Sequence, residues 1–314
     1  MNYKLQVTSY NRDLTTPSAC RRHPFKKLKG NYQHITSSSH HLIVSLLFSF
    51  LFSPFSFLPF AFSQSSPIVI LHTNDTHSQL ESYKDSQTGD VGGVVRRNTF
   101  IQETRSQYPN TILVDAGDFS QGTPYYNLFK GVPEIELMNK MGYDVAALGN
   151  HEFDNGSKAL INRLKLANFK VVCANYQFKN KHLTKIIKPY TIIYMGNKKI
   201  GFFGLLCDMK NMLMPIYYQE VTFINPVDAA QKMVEILKNR EQCDFIICLS
   251  HLGFEGEFEG DVSDTDLAAK VSGIDFIIGG HTHKLLEEPV IVNDTKIVHA
   301  GMKGSFVGKI VISD

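Results

Sequence analysis

Short apolar runs along this chain are separated by polar loops and by segments with helical spacing of apolar positions. β-Branched runs predict strands at 68–72, 111–115, 144–147 and 170–174. Helical spacing between these runs predicts helices at 92–107, 132–141 and 156–167. Alternation of strands and helices is typical of parallel strands in an α/β fold.

The second half of the chain contains more predicted strands. Gly196-Asn197 separates two apolar runs, at 191–194 and 200–205, and so predicts a hairpin. Residues 226–240 form an amphipathic helix that opens with a proline. Further strands are predicted at 244–249, 276–278, 289–293, 296–300 and 305–312. Antiparallel strands that follow parallel units indicate two sheets with helices outside, in one domain over 67–314.

The first 63 residues have a different composition. Residues 1–41 form a basic N-terminal extension, in which Asp13 is the single acid. An uncharged apolar run then spans residues 42–62, and the small residues Ala61 and Ser63 suit signal-peptidase cleavage. We therefore predict a signal peptide in 42–63 and a periplasmic or extracellular protein, with an uncleaved membrane anchor as the alternative. The long extension is also consistent with a mis-annotated translation start.

Composition excludes some classes of protein. The formal net charge is +2, and the excess of basic over acidic residues lies in the extension. The sequence therefore does not predict nucleic-acid binding. Five cysteines occur without the spacing of a disulfide framework, and no CxxC is present. The chain is therefore predicted to lack a simple zinc-knuckle site.

Polar clusters follow several predicted strands. The clusters contain Asp75 and His77, Asp118, Asn150 and His151, Asp154, His251, and His281 and His283. Ligands of open α/β sheets collect at the carboxyl ends of strands, so folding could bring these clusters together. Asp75 and His77, like His281 and His283, are two residues apart, which would place each pair on one side of an extended segment. Asp, Asn and His side chains suit borderline divalent metals, so the set predicts a two-metal site.

Each cluster has a simpler explanation when it is taken alone. Asp75 could cap a helix, Gly117-Asp118 could be an ordinary turn, and His251 could be a hydrogen-bonded core residue. Glu255 to Asp261 is an acidic stretch that we interpret as exposed loop rather than a calcium site. It is the recurrence after five strands that favours a common site.

The motifs DTH, GD, GNHEFDNG, SHLG and GGHTH resemble those of calcineurin-like metallophosphoesterases, specifically the secreted 5′-nucleotidase and UDP-sugar hydrolase group. The resemblance runs from Ile68 to Asp314 and implies a four-layer α/β/β/α sandwich with two mixed sheets. Ser78 departs from this group, which usually has glycine there, and this change should alter the loop rather than metal ligation.

The resemblance implies roles for individual residues. Two divalent metal ions (Zn, Mn, Fe or Co) would be bridged by Asp118 and by a hydroxide that attacks phosphate in line with the leaving oxygen. His151 would assist the leaving group, with Asp154 orienting its imidazole. The remaining ligands would be Asp75, His77 and His283 for one metal, and Asn150, His251 and His281 for the other.

The resemblance also implies the substrate and a partner. A small phosphorylated molecule, most simply a nucleotide, would be hydrolysed. Alternatives are a 2′,3′-cyclic phosphodiesterase, a nucleotide-sugar pyrophosphatase, or a non-catalytic metal- or nucleotide-binding surface protein. Members of this group commonly carry a C-terminal nucleotide-binding domain. Three explanations then stay open: that domain is a separate polypeptide that associates with this chain, the core acts alone on small phosphate esters, or the chain is a truncated product.

Overall fold

The computed structural model describes residues 2–9, 66–85 and 89–313. Their strands, in chain order, are β1 (Asn2–Ser9), β2 (Ile68–Thr73), β3 (Ser82–Asp85), β4 (Gly89–Gly92), β5 (Thr111–Asp115), β6 (Val145–Ala147), β7 (Lys170–Val172), β8 (Tyr176–Phe178), β9 (Ile187–Lys188), β10 (Tyr190–Met195), β11 (Lys198–Leu206), β12 (Val221–Phe223), β13 (Phe245–His251), β14 (Phe276–Gly279), β15 (Val290–Val292), β16 (Thr295–His299) and β17 (Phe306–Ser313).

The α-helices of these ranges are α1 (Val94–Gln107), α2 (Pro124–Phe129), α3 (Val132–Met141), α4 (Gly156–Leu164), α5 (Lys181–Ile186), α6 (Pro215–Tyr218), α7 (Pro226–Glu235) and α8 (Asp264–Lys270). Two short 3-10 helices occupy Asn150–Phe153 and Met209–Asn211, and a π-helical turn continues α7 over Ile236–Arg240. No helix within the described ranges is both long enough and apolar enough to cross a membrane.

Two large mixed sheets dominate the described part of the chain. The first has the order β1-β17-β2-β5-β6-β7-β9, and its strands are parallel from β2 to β9. The second has the order β10-β11-β13-β14-β16-β15, with a parallel centre and antiparallel edges. This confirms the prediction of two mixed sheets.

Successive side chains of the strands point to opposite faces of the sheets and contribute to three separate hydrophobic cores. Ile68 and Ile70 of β2 pack between the two sheets, against residues of β11 and β13. Val69 and Leu71 point to the opposite face and pack with α1, α3 and α4. On the far side, the second sheet packs with α7 and α8. The result is the expected helix-sheet-sheet-helix layering. Central strands are buried on both faces, which explains why their sequences are continuous apolar runs.

Strand β1 was not predicted from the sequence. Its backbone pairs antiparallel with β17, in a register from Asn2 opposite Ser313 to Ser9 opposite Phe306. Alternating Tyr3, Leu5 and Val7 is the signal that could have identified it. The predicted signal peptide at 42–63 and the rest of the extension lie outside the described residues, so those assignments stay predictions.

Candidate functional site

The site lies where strands of both sheets end. The loops after β2, β5 and β6 come from the first sheet, whereas β13 and the loop after β14 come from the second. All of these strands are parallel to a neighbour, so their carboxyl ends face the same edge. The structure places side chains from every predicted cluster at this edge.

Left-handed backbone, rather than extended strand, positions several of these side chains. Asp75 and His77 have φ values of 49° and 46°, and His281 and His283 have values of 77° and 55°. The prediction that each pair projects from an extended segment was therefore wrong, although the side chains do converge. Such conformations are unfavourable for residues with a Cβ and are typical of functional sites.

One group of possible ligands contains Asp75, His77 and His283. The Nε2 atoms of the two histidines are 2.8 Å apart. Asp75 Oδ1 lies 3.9 Å from His77 Nε2 and 3.7 Å from His283 Nε2. These three side chains come from both sheets and aim their ligand atoms at a common point.

A second group contains Asp118, His251 and His281. Asp118 Oδ2 is 3.1 Å from His251 Nε2. Asn150 is buried, and its Oδ1 lies 3.8 Å from the Cys207 sulfur. Cys207 N in turn donates to the His251 carbonyl oxygen at 3.0 Å, so Cys207 links Asn150 to the strand end that carries His251.

Asp118 lies between the two groups. Its Oδ2 is also 3.9 Å from His77 Nε2, and Asp118 forms a third possible ligand group with His77 and His151. A carboxylate in this position can contact cations on both sides.

Hydrogen bonding around the histidines leaves ligand atoms free toward the site. His251 donates from Nδ1 to the carbonyl oxygen of Ala116, 2.8 Å away, which directs its Nε2 inward. The Nε2 atoms of His251 and His281 are buried and make no hydrogen bond in the described structure, although each faces a carboxylate oxygen, Asp118 Oδ2 at 3.1 Å and Glu257 Oε2 at 2.9 Å. A metal ion would satisfy both nitrogens. The residues present therefore fit a divalent metal centre.

The protonation of His77, in the first group, and of His281, in the second, fits the same chemistry. Burial lowers the pKa of His77 to about 4 and that of His281 to about 3, so both imidazoles are neutral near pH 7. Burial raises the pKa of Asp75 to about 7. Neutral imidazole is the form that binds metals.

Asp118 and His251, the other two members of the second group, have the opposite electrostatic balance. Burial favours the neutral carboxyl of Asp118, but the neighbouring His251 holds its pKa well below the usual range. Burial would lower the pKa of His251, yet the charges of Asp118 and Asp75 raise it to about 10. A divalent cation would displace the His251 proton, because metal binding requires neutral imidazole.

His151 and Asp154 form a pair at the edge of the site. His151 Nδ1 lies 2.9 Å from Asp154 Oδ2, as the sequence suggested. Burial would lower the pKa of His151, but the hydrogen bond to Asp154 and the charge of Asp118 raise it to about 9. The His151 ring is 5.3 Å from the His77 ring, measured between centroids. His151 is thus a protonated imidazole that faces the candidate metal positions.

Glu152 was not singled out from the sequence. Its buried carboxylate accepts backbone N–H groups of Gly149, Asp118 and Ser120, at 2.7 to 3.0 Å. These bonds tie the loop after β5 to the loop after β6. A glutamate inside the GNHEFDNG motif was the available signal, but only the folded loops show which donors it meets.

Asn74 was also missed. Its amide nitrogen donates to Asp75 Oδ2 at 2.6 Å and to the Gly301 carbonyl at 2.7 Å, while its oxygen accepts from Ala300 N. The side chain therefore fixes Asp75 against the far end of the chain. Ser78, the departure from the resemblance, hydrogen-bonds with Thr123 and Glu134.

Comparisons with known proteins agree with this geometry. The profile of a family described as calcineurin-like phosphoesterase matches residues 68–285. The snake venom 5′-nucleotidase of Gloydius brevicauda is 41% identical over 232 residues, which are 71% of this chain and 38% of that protein. The trifunctional nucleotide phosphoesterase YfkN of Bacillus subtilis is 30% identical over 282 residues, covering 78% of this chain and 18% of that protein.

A solved structure shows the same likeness. The 5′-nucleotidase precursor from Thermus thermophilus superimposes with a TM-score of 0.71 and 34% identity, covering 79% of this chain and 52% of that one. The chain thus spans less than half the length of the two curated relatives above.

Proposed function

Because this chain belongs to the calcineurin-like phosphoesterase family, we propose that it hydrolyses phosphate esters at a centre of two divalent metal ions, with nucleoside 5′-phosphates as substrates. The observation that carries the proposal is the position of Asp118 between two groups of possible ligands. A protonated histidine stands beside them.

Specific residues would hold each cation. Asp75, His77 and His283 would bind the first, and Asn150, His251 and His281 the second, with Asp118 shared. Two cations there would activate a water molecule as nucleophile and withdraw charge from the phosphate oxygens. The mixture of imidazole, amide and carboxylate ligands suits Zn, Mn, Fe or Co.

The chain's own contribution to the reaction centres on His151. Asp154 holds the imidazole through Nδ1, so Nε2 carries its proton toward the site. From there His151 donates to the oxygen of the departing alcohol, and the high pKa keeps it protonated at neutral pH. Correct placement depends on Asp118 as well, because His151 N donates to Asp118 Oδ1 at 3.0 Å.

The substrate assignment rests on the relatives. Two of them are named as nucleotide-acting enzymes, and the Bacillus subtilis protein is named as trifunctional. We therefore keep a 2′,3′-cyclic nucleotide or a nucleotide sugar as the second candidate substrate. Export to the periplasm or the extracellular space is a further part of the proposal that rests on the sequence.

Phosphate release by the purified chain tests the proposal. The substrates would be AMP, UDP-glucose, 2′,3′-cyclic AMP and p-nitrophenyl phosphate, each with Mn²⁺ or Zn²⁺ and with EDTA as the metal-free control. Asp118→Asn would remove the shared carboxylate, and Glu103→Gln, on the exposed face of α1, is a matched surface control. We expect metal-dependent release from AMP that Asp118→Asn loses and Glu103→Gln retains.

Other outcomes have defined meanings. Release from the cyclic nucleotide or UDP-glucose alone would replace the 5′-nucleotidase assignment with the second candidate. Release from p-nitrophenyl phosphate alone would overturn the nucleotide assignment and leave a general phosphoesterase. Binding of two metal equivalents without release from any ester would overturn hydrolysis in favour of a metal-binding protein.

A further inference from the structure

An acidic loop after β13 packs beside the candidate metal site. It runs from Gly253 to Val262 and contains Glu255, Glu257, Glu259 and Asp261. Phe254 N donates to Thr282 Oγ1 at 3.0 Å, which ties the start of the loop to the residue between His281 and His283. Asp264 N donates to the Gly253 carbonyl at 2.8 Å and fixes the loop to the start of α8. The two loops are therefore held together.

Glu257 is the acidic residue that reaches a candidate ligand. Its Oε2 lies 2.9 Å from His281 Nε2, although half of the Glu257 side chain (51%) is exposed and only 7% of His281 is. The two atoms lie within ion-pair distance, but they do not form a hydrogen bond in the described structure. An imidazole nitrogen and a carboxylate oxygen therefore face the same space.

A ring contact places Glu257 beside the second group of possible ligands. The His251 and His281 rings lie 5.1 Å apart, measured between centroids, and both belong to the group that contains Asp118. Because Glu257 contacts His281 Nε2, it stands next to the position that His251 and His281 share.

The separation of the two atoms suits a shared cation. Metal–nitrogen and metal–oxygen bonds are about 2.0–2.2 Å, so two ligands at roughly 90–109° on one metal lie about 3 to 3.5 Å apart. The distance of 2.9 Å between Glu257 Oε2 and His281 Nε2 is close to this range. A small movement of the exposed glutamate would complete the coordination.

We propose that Glu257 is an additional, displaceable carboxylate ligand for the cation at the Asn150–His251–His281 position. This inference rests on the proposed two-metal function. Glu257 would hold the solvent-facing coordination position until a phosphate oxygen replaces it. The acidic stretch that the sequence analysis interpreted as exposed surface loop then has a role in metal retention and in access of phosphate to the site.

Calorimetric titration with Mn²⁺ tests the proposal on the full chain, after removal of metals with EDTA. The variant is Glu257→Gln, which keeps the size and removes the charged oxygen. Glu259→Gln is the matched control, because it removes the same charge from the same exposed loop. Loss of a supporting residue typically weakens metal binding by 10–100-fold, so we expect at least about a tenfold weaker second Mn²⁺ in Glu257→Gln alone.

Binding of inorganic phosphate to the Mn²⁺-saturated proteins is the second readout. Glu257 and phosphate compete for one coordination position, so phosphate should bind several-fold more tightly to Glu257→Gln than to wild type or Glu259→Gln. The absorption spectrum of the Co²⁺-loaded protein should also change when Glu257, but not Glu259, is replaced, because it reports the coordination number.

The outcomes separate this proposal from the proposed function. A wild type that binds fewer than two Mn²⁺ would contradict the two-metal function itself. Two equivalents bound with unchanged affinity in Glu257→Gln would overturn only the role of Glu257. Tighter Mn²⁺ binding in Glu257→Gln would also overturn it, since Glu257 would then be competing with the metal for His281.

Discussion

Replacing Gly149 by alanine is predicted to disturb both metal positions at once. Gly149 has a φ of −103°, so an alanine there needs no unusual backbone conformation. The obstacle is space. An added Cβ would lie 2.6 Å from the backbone nitrogen of Asp118 and closer still to Asp118 Oδ1. The backbone nitrogen cannot rotate away, so the loop that carries Asp118 must shift.

The size of the effect follows from this distance. Ordinary contacts of a Cβ begin at 3.4 Å, so the Asp118 loop must move by nearly 1 Å. Overpacking of this kind costs about 1–3 kcal/mol, which corresponds to roughly 2–12 °C in melting temperature for a domain of this size. A misplacement of about 1 Å in a catalytic group can lower the rate by about 100-fold. Because Asp118 is shared, affinity for both cations should fall.

Two measurements separate the fold from the site. The melting temperature in EDTA reports the packing cost, and Mn²⁺ calorimetry reports the number and affinity of bound ions. Gly196→Ala is the control, because Gly196 lies in the β10–β11 hairpin with a φ of 60° and has no atom within 3.4 Å of the added Cβ. Strain in the left-handed region should cost that variant about 1–2 kcal/mol without changing Mn²⁺ binding.

One result would refute the reasoning. If Gly149→Ala binds two Mn²⁺ ions with wild-type affinity, the position of Asp118 does not depend on the missing side chain at residue 149. Loss of only one Mn²⁺ would show instead that Asp118 is not shared, and that the two groups of ligands are independent.

Most of the regular structure could be predicted from local pattern. Predicted strand 111–115 and predicted helix 132–141 match β5 and α3 at both ends. In β5 an unbroken apolar run is buried on both faces, and α3 ends at Gly142, which adopts the left-handed conformation that stops helices. The hairpin around Gly196 is likewise confirmed, because its turn residues have a local conformational preference.

Elements that depend on distant partners were not predicted. Strand β1 pairs with β17, about 300 positions away, and β8 pairs with β12 across more than 40 residues. Strands β8 and β12 have three residues each, so they have little pattern of their own and form because a partner edge exists. The predicted helix 226–240 was correct to Glu235, after which the last turn widens to π-helical.

The candidate site could likewise be predicted only where local sequence decides the structure. Position in the sequence, directly after strands, was enough to predict which clusters would meet, because parallel strands bring their carboxyl ends together. The left-handed backbone of Asp75 and His77 could not be predicted, since it is imposed by hydrogen bonds such as Asp75 N to Gly117 O and His77 N to Asp118 O. Glu257 was unpredictable for a similar reason, because only the packed loops place it beside His281.

Three further predictions concern the reaction, the site loop and stability against acid. His151→Ala should lower kcat by about 10²–10⁴-fold and Asp154→Asn by less, while calorimetry still shows two bound Mn²⁺. Asn74→Ala leaves backbone groups at 300–301 unpaired and should lower the free energy of unfolding by about 1–3 kcal/mol for each group, measured in urea. Burial, aided by a neighbouring histidine, lowers the pKa of His72 from 6.5 to about 3. Between pH 6.5 and pH 3, His72 is therefore protonated in the unfolded chain and neutral in the folded one. His72 therefore makes the free energy of unfolding fall as the pH is lowered, by about 2 kcal/mol between pH 7 and pH 5. In urea titrations with EDTA, His72→Gln should show a correspondingly smaller loss, and an equal loss in both proteins would mean that His72 is protonated in the fold.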